Sequence, residues 1–253
     1  MEIMKKKAVI TGLCALLLAV CLVSMRSPLG GTEPDVTPLT EWQAGQTVSP
    51  SAITAFGGLE KCFAADTIPD RVWQRMQGKS YTDNPYIHRE DLRHLRVLHW
   101  DYDQQTHIGE MVCNKRIADR LVSIFRQLYD AKYPIQQMLL PDVYDADDET
   151  QMRHNNSSCF CYRVVAGTKV LSKHSLGLAV DINTLYNPYY KKKANGTIIV
   201  QPATALQYCN RKMKFRYKID RQDLCYRLFT KAGFTWGGSW TSCKDYQHFE
   251  LKD

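Results

Sequence analysis

No motif that reads nucleic acid occurs in these 253 residues, and after about Val72 there is no second linker and no internal repeat. The first absence leaves a formal net charge of +7 without a base-reading partner. Four of the positive charges (Lys5, Lys6, Lys7 and Arg26) flank one apolar segment, so the rest of the chain is only mildly basic. Anionic lipid or an acidic polymer could use such a balance, and solubility is its plain reading. The second absence leaves a single continuous globular region, long enough for one sizeable core. Among the nine cysteines no pair has redox or zinc-ribbon spacing, because Cys159-Phe160-Cys161 places one residue where those motifs need two. Cys14 and Cys21 lie in the apolar segment. Cys62, Cys113, Cys159, Cys161, Cys209, Cys225 and Cys243 remain, an odd set that reads as structural.

What is present begins with Lys5-Lys6-Lys7 and an uncharged apolar run from Ala8 to about Ser24. A positive region before an apolar one is the signature of export, and the lysines place the N-terminus in the cytoplasm. Residues 1–25 therefore read as a signal peptide or an N-terminal membrane anchor, spanning through residues 8–24. No Ala-x-Ala site follows the run, and Cys21 resembles a lipoprotein acceptor except that Val20 replaces the small residue before it. Residues 26–71, rich in turn formers as far as Pro50, read as a linker or N-terminal extension. Residues 72–253 read as one globular domain.

Within that domain, Asn114 is placed to cap a helix whose Ile117, Leu121, Ile124, Phe125 and Leu128 share one face, with Pro134 beyond its end. A second helix is predicted from Asp220, with Leu224, Leu228 and Ala232 on one side and Gly233 as terminator. Alternation puts Leu178, Val180 and Ile182 on one face of a strand, and Ala179, Asp181 and Asn183 on the other. Tyr246 to Leu251 alternates in the same way. This order predicts an α+β domain, a small antiparallel sheet flanked by helices. Residues 189–218 differ in character: lysines and arginines interleave with Tyr189, Tyr190, Tyr208, Phe215 and Tyr217 around an Asn195-Gly196 turn. A solvated basic insertion is predicted there.

The residues that suggest chemistry are His174, Asp181 and His248. A catalytic zinc ion needs three protein ligands and one open position, and His and Asp are suitable donors. Gly177 allows the close turn that would bring His174 back beside Asp181, and His248 completes the set if its strand neighbours that of Asp181. Asp245, just before that strand, would then stand close enough to a water on the metal to act as general base. Read singly, each residue has a plainer explanation: a strand histidine is usually packed, and Arg163 would form a surface salt bridge. His88, His94, His99, His107 and His154 read as surface or structural.

Ser172-x-His174-x-x-Gly177-x-Ala179-x-Asp181, followed by Asp245-x-x-His248, resembles the zinc D-alanyl-D-alanine carboxypeptidase and L-alanyl-D-glutamate endopeptidase family, above all the subgroup that includes phage endolysin peptidases. Asn155-Asn156-Ser157-Ser158-Cys159-Phe160-Cys161-Tyr162-Arg163 with Gly167-Thr168, and Trp236-Gly237-Gly238, extend the resemblance, as do Gly109 to Asn114 and Tyr133-Pro134-Ile135. It covers about residue 80 to the end. The resemblance implies a hedgehog/DD-peptidase-like fold and one zinc ion on His174, Asp181 and His248. It also implies Asp245 as catalytic base, Arg163 as oxyanion partner, and peptidoglycan stem peptides as substrate. The implied location is the periplasm or cell envelope. Two departures stand out. Ser239 occupies the acidic position of a Gly-Gly-Asp-Trp motif, and the basic insertion has no counterpart. A D-Ala-D-Ala dipeptidase, a non-catalytic zinc-containing wall-binding module and a thiol enzyme using Cys159 or Cys161 are the other readings. Neither the bond cut nor the oligomeric state follows from the sequence.

Overall fold

A computed structural model describes residues 42–165 and 168–252. The expected signal or anchor at residues 8–24 lies outside them, and no helix among the described residues is long and apolar enough to cross a membrane. In chain order the regular elements are α1 (Pro50–Ala55), β1 (Ala64–Asp66), α2 (Asp70–Met76), β2 (Leu92–Trp100), β3 (Thr106–Asn114) and α3 (Ala118–Asp130). They continue as α4 (Asp148–Arg153), β4 (Ala179–Asp181), β5 (Tyr189–Lys192), β6 (Ile198–Gln201), α5 (Leu224–Lys231), β7 (Phe234–Trp236), β8 (Lys244–Asp245) and β9 (His248–Leu251). The class is α+β, as expected. In place of one sheet, the described residues form three antiparallel sheets of three strands: β1-β2-β3, β4-β9-β7 and β6-β5-β8.

The main core lies between the first two sheets and helices α3 and α5. Leu121, Ile124, Phe125 and Leu128 of α3 are buried at the predicted spacing and meet Leu95, Val97 and Ile108 of the long hairpin. The helix starts later than expected. The Asn114 side chain accepts from the Arg116 amide (3.0 Å), a turn intervenes, and Ile117 takes the cap position. Helix α5 also starts later, with Asp223 as its cap accepting from the Cys225 amide (2.9 Å). Its buried face is turned by about one residue from the predicted one: Cys225 and Phe229 are fully buried, while Leu224 and Leu228 are only partly so. The reason is Phe229, whose ring stacks on Phe249 of β9 at 4.5 Å and meets Phe125 edge-on at 6.3 Å. An aromatic of that size dominates the choice of face.

The expected domain boundary at residue 72 is corrected by the structure. Residues from Trp42 onward belong to the domain: the Trp42 indole is buried and donates to the Gly109 carbonyl (3.0 Å), and Gly45 and Val48 bond along β3. Ser49 caps α1 and β1 pairs with β2. Most of the turn formers that suggested a tether lie outside the described residues, and within them Pro50 serves as a helix start.

Candidate metal centre

The central sheet builds the site. Strands β4 and β9 are antiparallel neighbours in a register that sets Asp181 directly opposite His248. In each strand the next residue faces the core (Val180, Phe249), so alternation turns Asp181 and His248 to the same outer face. His174 comes from a short 3-10 turn, Lys173–Leu176, capped by the Ser172 hydroxyl, which accepts from the His174 amide (3.2 Å). Gly177 ends that turn in the left-handed region (φ 64°, ψ 26°). A Cβ there would lie 2.6 Å from the Asn114 nitrogen, so the turn is pressed onto the end of β3. Asn114 clamps it further: its amide group donates to the Leu176 carbonyl and its backbone N–H to the Gly177 carbonyl, both at 2.9 Å.

The three predicted ligands meet. His174 Nε2 lies 3.2 Å from His248 Nδ1 and 3.1 Å from Asp181 Oδ2, and His248 Nδ1 lies 3.0 Å from Asp181 Oδ1. Donor atoms on a tetrahedral zinc ion, at bond lengths near 2.05 Å, stand about 3.3 Å apart. Each observed spacing is close to that value, with Asp181 meeting the two imidazoles through different oxygens. Among the described residues this is the one group of three His, Cys, Asp or Glu side chains close enough to share a metal ion. The outer bonds agree with that use. His174 Nδ1 lies 2.6 Å from the Cys159 carbonyl, which fixes the proton there and leaves Nε2 free to ligate. His248 Nε2 lies 3.2 Å from Glu250 Oε2, a carboxylate–histidine pair of the kind that orients a metal ligand. Glu250 was missed in the sequence. Its alternation with His248 on β9 was a signal for it, since residues i and i+2 share a face.

Two carboxylates stand close together here in different states. Burial pushes the Asp181 carboxyl up, but the charges and hydrogen bonds of His174 and His248 outweigh this and hold it well below the usual range. Burial raises Asp245 to about 7, with Asp181 repelling its charge and His248 and Arg163 only partly offsetting that. Asp245 as a residue is partly exposed, but its Oδ1 is buried and has no hydrogen-bond partner among the described residues. It is held in place by β8, and Gly237 packs so tightly behind it that a Cβ there would lie 2.6 Å from the Asp245 carbonyl oxygen and 3.3 Å from His248 Cβ. The Trp240 ring lies 5.3 Å from that of His248.

Arg163 sits at the edge of the same site. Its Nε donates to Asp148 Oδ2 at the start of α4, and its Nη1 donates to the Ser172 hydroxyl (3.2 Å). The salt bridge expected of a lone arginine is present, yet it also aims a charge that both Asp181 and Asp245 feel. Burial works against the Arg163 charge and Asp148 more than restores it. Asp148 too was not singled out in the sequence. The Asn155 to Ser158 stretch has a structural role: Ser158 bonds to Asp181 through both backbone groups (3.0 and 2.9 Å), and the Ser157 hydroxyl accepts from the Asn183 amide (3.0 Å). These polar groups are buried and paired, which pins β4 from its open edge.

The thiols do not compete for the chemistry. Burial pushes Cys159 well above its ordinary value and Cys161 to about 12, so neither is a thiolate at neutral pH. All seven described cysteines are free. His94 pairs with Glu110 and His99 is buried against the Ile135 carbonyl, and neither belongs to the ligand cluster. Ser239, in place of the acid, accepts from Arg221 (3.0 Å). A cavity between α3 and α5, lined by Arg120, Ile124, Gln127, Leu228 and Lys231, shares no residue with the cluster.

Residues 166–251 match the family model of D-alanyl-D-alanine carboxypeptidases. The match spans about a third of the chain and includes His174, Asp181, Asp245 and His248, while Arg163 lies just outside it. No curated protein and no solved structure matches the chain. The site-bearing part is thus similar to a carboxypeptidase-type peptidase.

Proposed function

We propose that this chain is an exported zinc peptidase that hydrolyses peptide bonds in peptidoglycan stem peptides, as a D-Ala-D-Ala carboxypeptidase or an L-Ala-D-Glu endopeptidase. The observation that carries the reading is the meeting of His174, Asp181 and His248, close enough to share one metal ion, with a buried carboxylate oxygen, Asp245 Oδ1, that has no hydrogen-bond partner among the described residues. A metal-free histidine–carboxylate cluster used only for packing has no need of such an orphan, because an unsatisfied buried carboxylate oxygen costs stability. Similarity to carboxypeptidases over residues 166–251 supports the reaction type. The Lys5-Lys6-Lys7 and apolar segment supports export.

Zinc held by the three ligands would supply Lewis acidity and lower the pKa of water. The chain's own groups do the rest. Asp245, raised by burial, is poised to take a proton from the attacking water and return it to the leaving amine. Arg163, held by Asp148 and Ser172, presents a fixed positive charge to the oxygen that becomes negative as the carbonyl is attacked. Glu250 and the Cys159 carbonyl keep the two imidazoles in their ligating orientations.

The deciding experiment incubates purified protein with muropeptides and follows the products by mass spectrometry, which also identifies the bond. Cleavage is expected with one zinc per chain, and it should stop on chelation or in His174→Ala. Undiminished cleavage by metal-free protein refutes the mechanism.

A further inference from the structure

The basic segment predicted as a solvated insertion is joined to the site. Strand β5 pairs on one side with β6 and on the other with β8, so Tyr189 lies directly opposite Asp245. Opposed residues in an antiparallel pair project to the same face, with Cβ atoms about 5 Å apart. Tyr189 therefore shares the face of the proposed base. The environment of its phenol agrees: burial, the Cys243 thiol and the charge of Asp245 raise it to about 12. Two residues on, Lys191 projects to that face as well, about 7 Å farther along the strand. Register adds Gln201 beside Tyr189 and Ile199 beside Lys191.

Tyr189 and Lys191 are both partly exposed, whereas Lys192 on the opposite face is exposed. Lys191 has no hydrogen-bond or ion-pair partner among the described residues, unlike Lys115 with Asp91 or Lys218 with Asp220. The segments that flank the hairpin are also held firmly. The Ala203 amide donates to Glu149 (2.7 Å), and Arg211 donates to the Tyr186 carbonyl, Asn187 Oδ1 and the Ile219 carbonyl while lying 4.3 Å over the Tyr246 ring. A free cation on a rigid strand beside the reacting group is preorganised to bind an anion.

We propose that the β5–β6 hairpin is one wall of the substrate cleft, in which Tyr189 lines the reacting position and Lys191 binds a carboxylate of the substrate peptide. The spacing sets which carboxylate: 7 Å of extended peptide is about two residues, so the anion belongs to a residue about two positions from the bond that is cut. This rests on the peptidase reading above and makes the preferred substrate an acidic peptide.

The test uses the zinc-loaded full chain and synthetic stem peptides that differ only by carboxylate or carboxamide at each position within two residues of the scissile bond. Wild type is expected to prefer the carboxylate at one position. Lys191→Met should raise KM for that peptide roughly three- to tenfold with little change in kcat, and should erase the preference. Lys191→Arg should retain the preference, and Lys192→Met should match wild type. A Lys191→Met enzyme that cleaves peptides with the full wild-type preference overturns the inference while leaving the peptidase reading intact. If wild type cleaves no peptide of either kind, the peptidase reading fails and the inference falls with it.

Discussion

Replacing Gly177 by alanine should damage both the fold and the metal site, by an amount that follows from two separate costs. The first is conformational: φ of 64° and ψ of 26° lie in the left-handed region, where a Cβ costs roughly 1–2 kcal/mol. The second is steric. The new Cβ would lie 2.6 Å from the Asn114 nitrogen, 3.1 Å from the Cys113 carbonyl carbon and 3.3 Å from Leu92 Cδ2. Two of these neighbours are backbone at the end of β3 and cannot swing aside, so an overpacking cost of about 1–3 kcal/mol applies. Together they give about 2–5 kcal/mol, or a fall in Tm of roughly 4–20 °C for a domain of this size. Gly196→Ala is the control. Its φ of 84° carries the conformational cost, but nothing lies within 4 Å of the added Cβ, so about 1 kcal/mol is expected. Urea unfolding of the metal-free proteins measures both variants. Zinc competition against a chromogenic chelator then reads the second consequence. Gly177 closes the turn carrying His174, so relief of the clash moves that ligand and should weaken metal binding by at least about tenfold, an effect on the scale of losing an outer-shell partner. Equal costs for Gly177→Ala and Gly196→Ala would refute the argument that close approach to Asn114 positions the ligand.

Four further outcomes are expected. Glu250→Gln should weaken zinc binding by about 10- to 100-fold in the same competition assay by loosening the orientation of His248, and unchanged affinity would remove Glu250 from the site. Asp245→Asn should keep one zinc per chain while kcat falls by about 10²- to 10⁴-fold, and loss of the metal would instead make Asp245 a ligand. The base works as a carboxylate, so wild-type activity should rise with pH through its pKa. Burial puts that value at about 7 without metal, and the ion's positive charge moves the acidic limb of kcat/KM below 7. Asp223→Asn should preserve the α5 cap yet stabilise the protein above pH 6. Burial raises Asp223 to about 6, so the folded state favours the neutral acid, and its stabilisation is full below the ordinary carboxyl value and lost as pH rises through 6. The expected gain at pH 8 is about 1–3 kcal/mol in urea unfolding, fading at pH 4, and a gain independent of pH would contradict this origin.

The sequence by itself determined the local geometry of the site. Alternation assigned Asp181 to the strand face opposite Val180, and Gly177 marked a close turn of the kind a residue without a Cβ allows. The periodicity of α3 likewise identified its buried face, because i, i+3 and i+4 neighbours meet whatever the rest of the chain does. Tertiary structure decided what depends on contacts between distant segments. The α5 face followed Phe229 because the ring of Phe249 lay across from it, which no window around Asp220 contains. Residues 42–71 joined the core through bonds to β3, more than fifty positions away. Asp148 and Glu250 became partners of Arg163 and His248 only once those side chains were brought to them. The ligands themselves span 74 positions, and their mutual approach to 3.0–3.2 Å depends on a strand register that sequence spacing cannot express. A second pairing, β5 with β8, turned a basic run that looked like solvated surface into a strand opposite Asp245. Side-chain periodicity is a property of a single segment, whereas pairing is chosen by the packing of the whole domain.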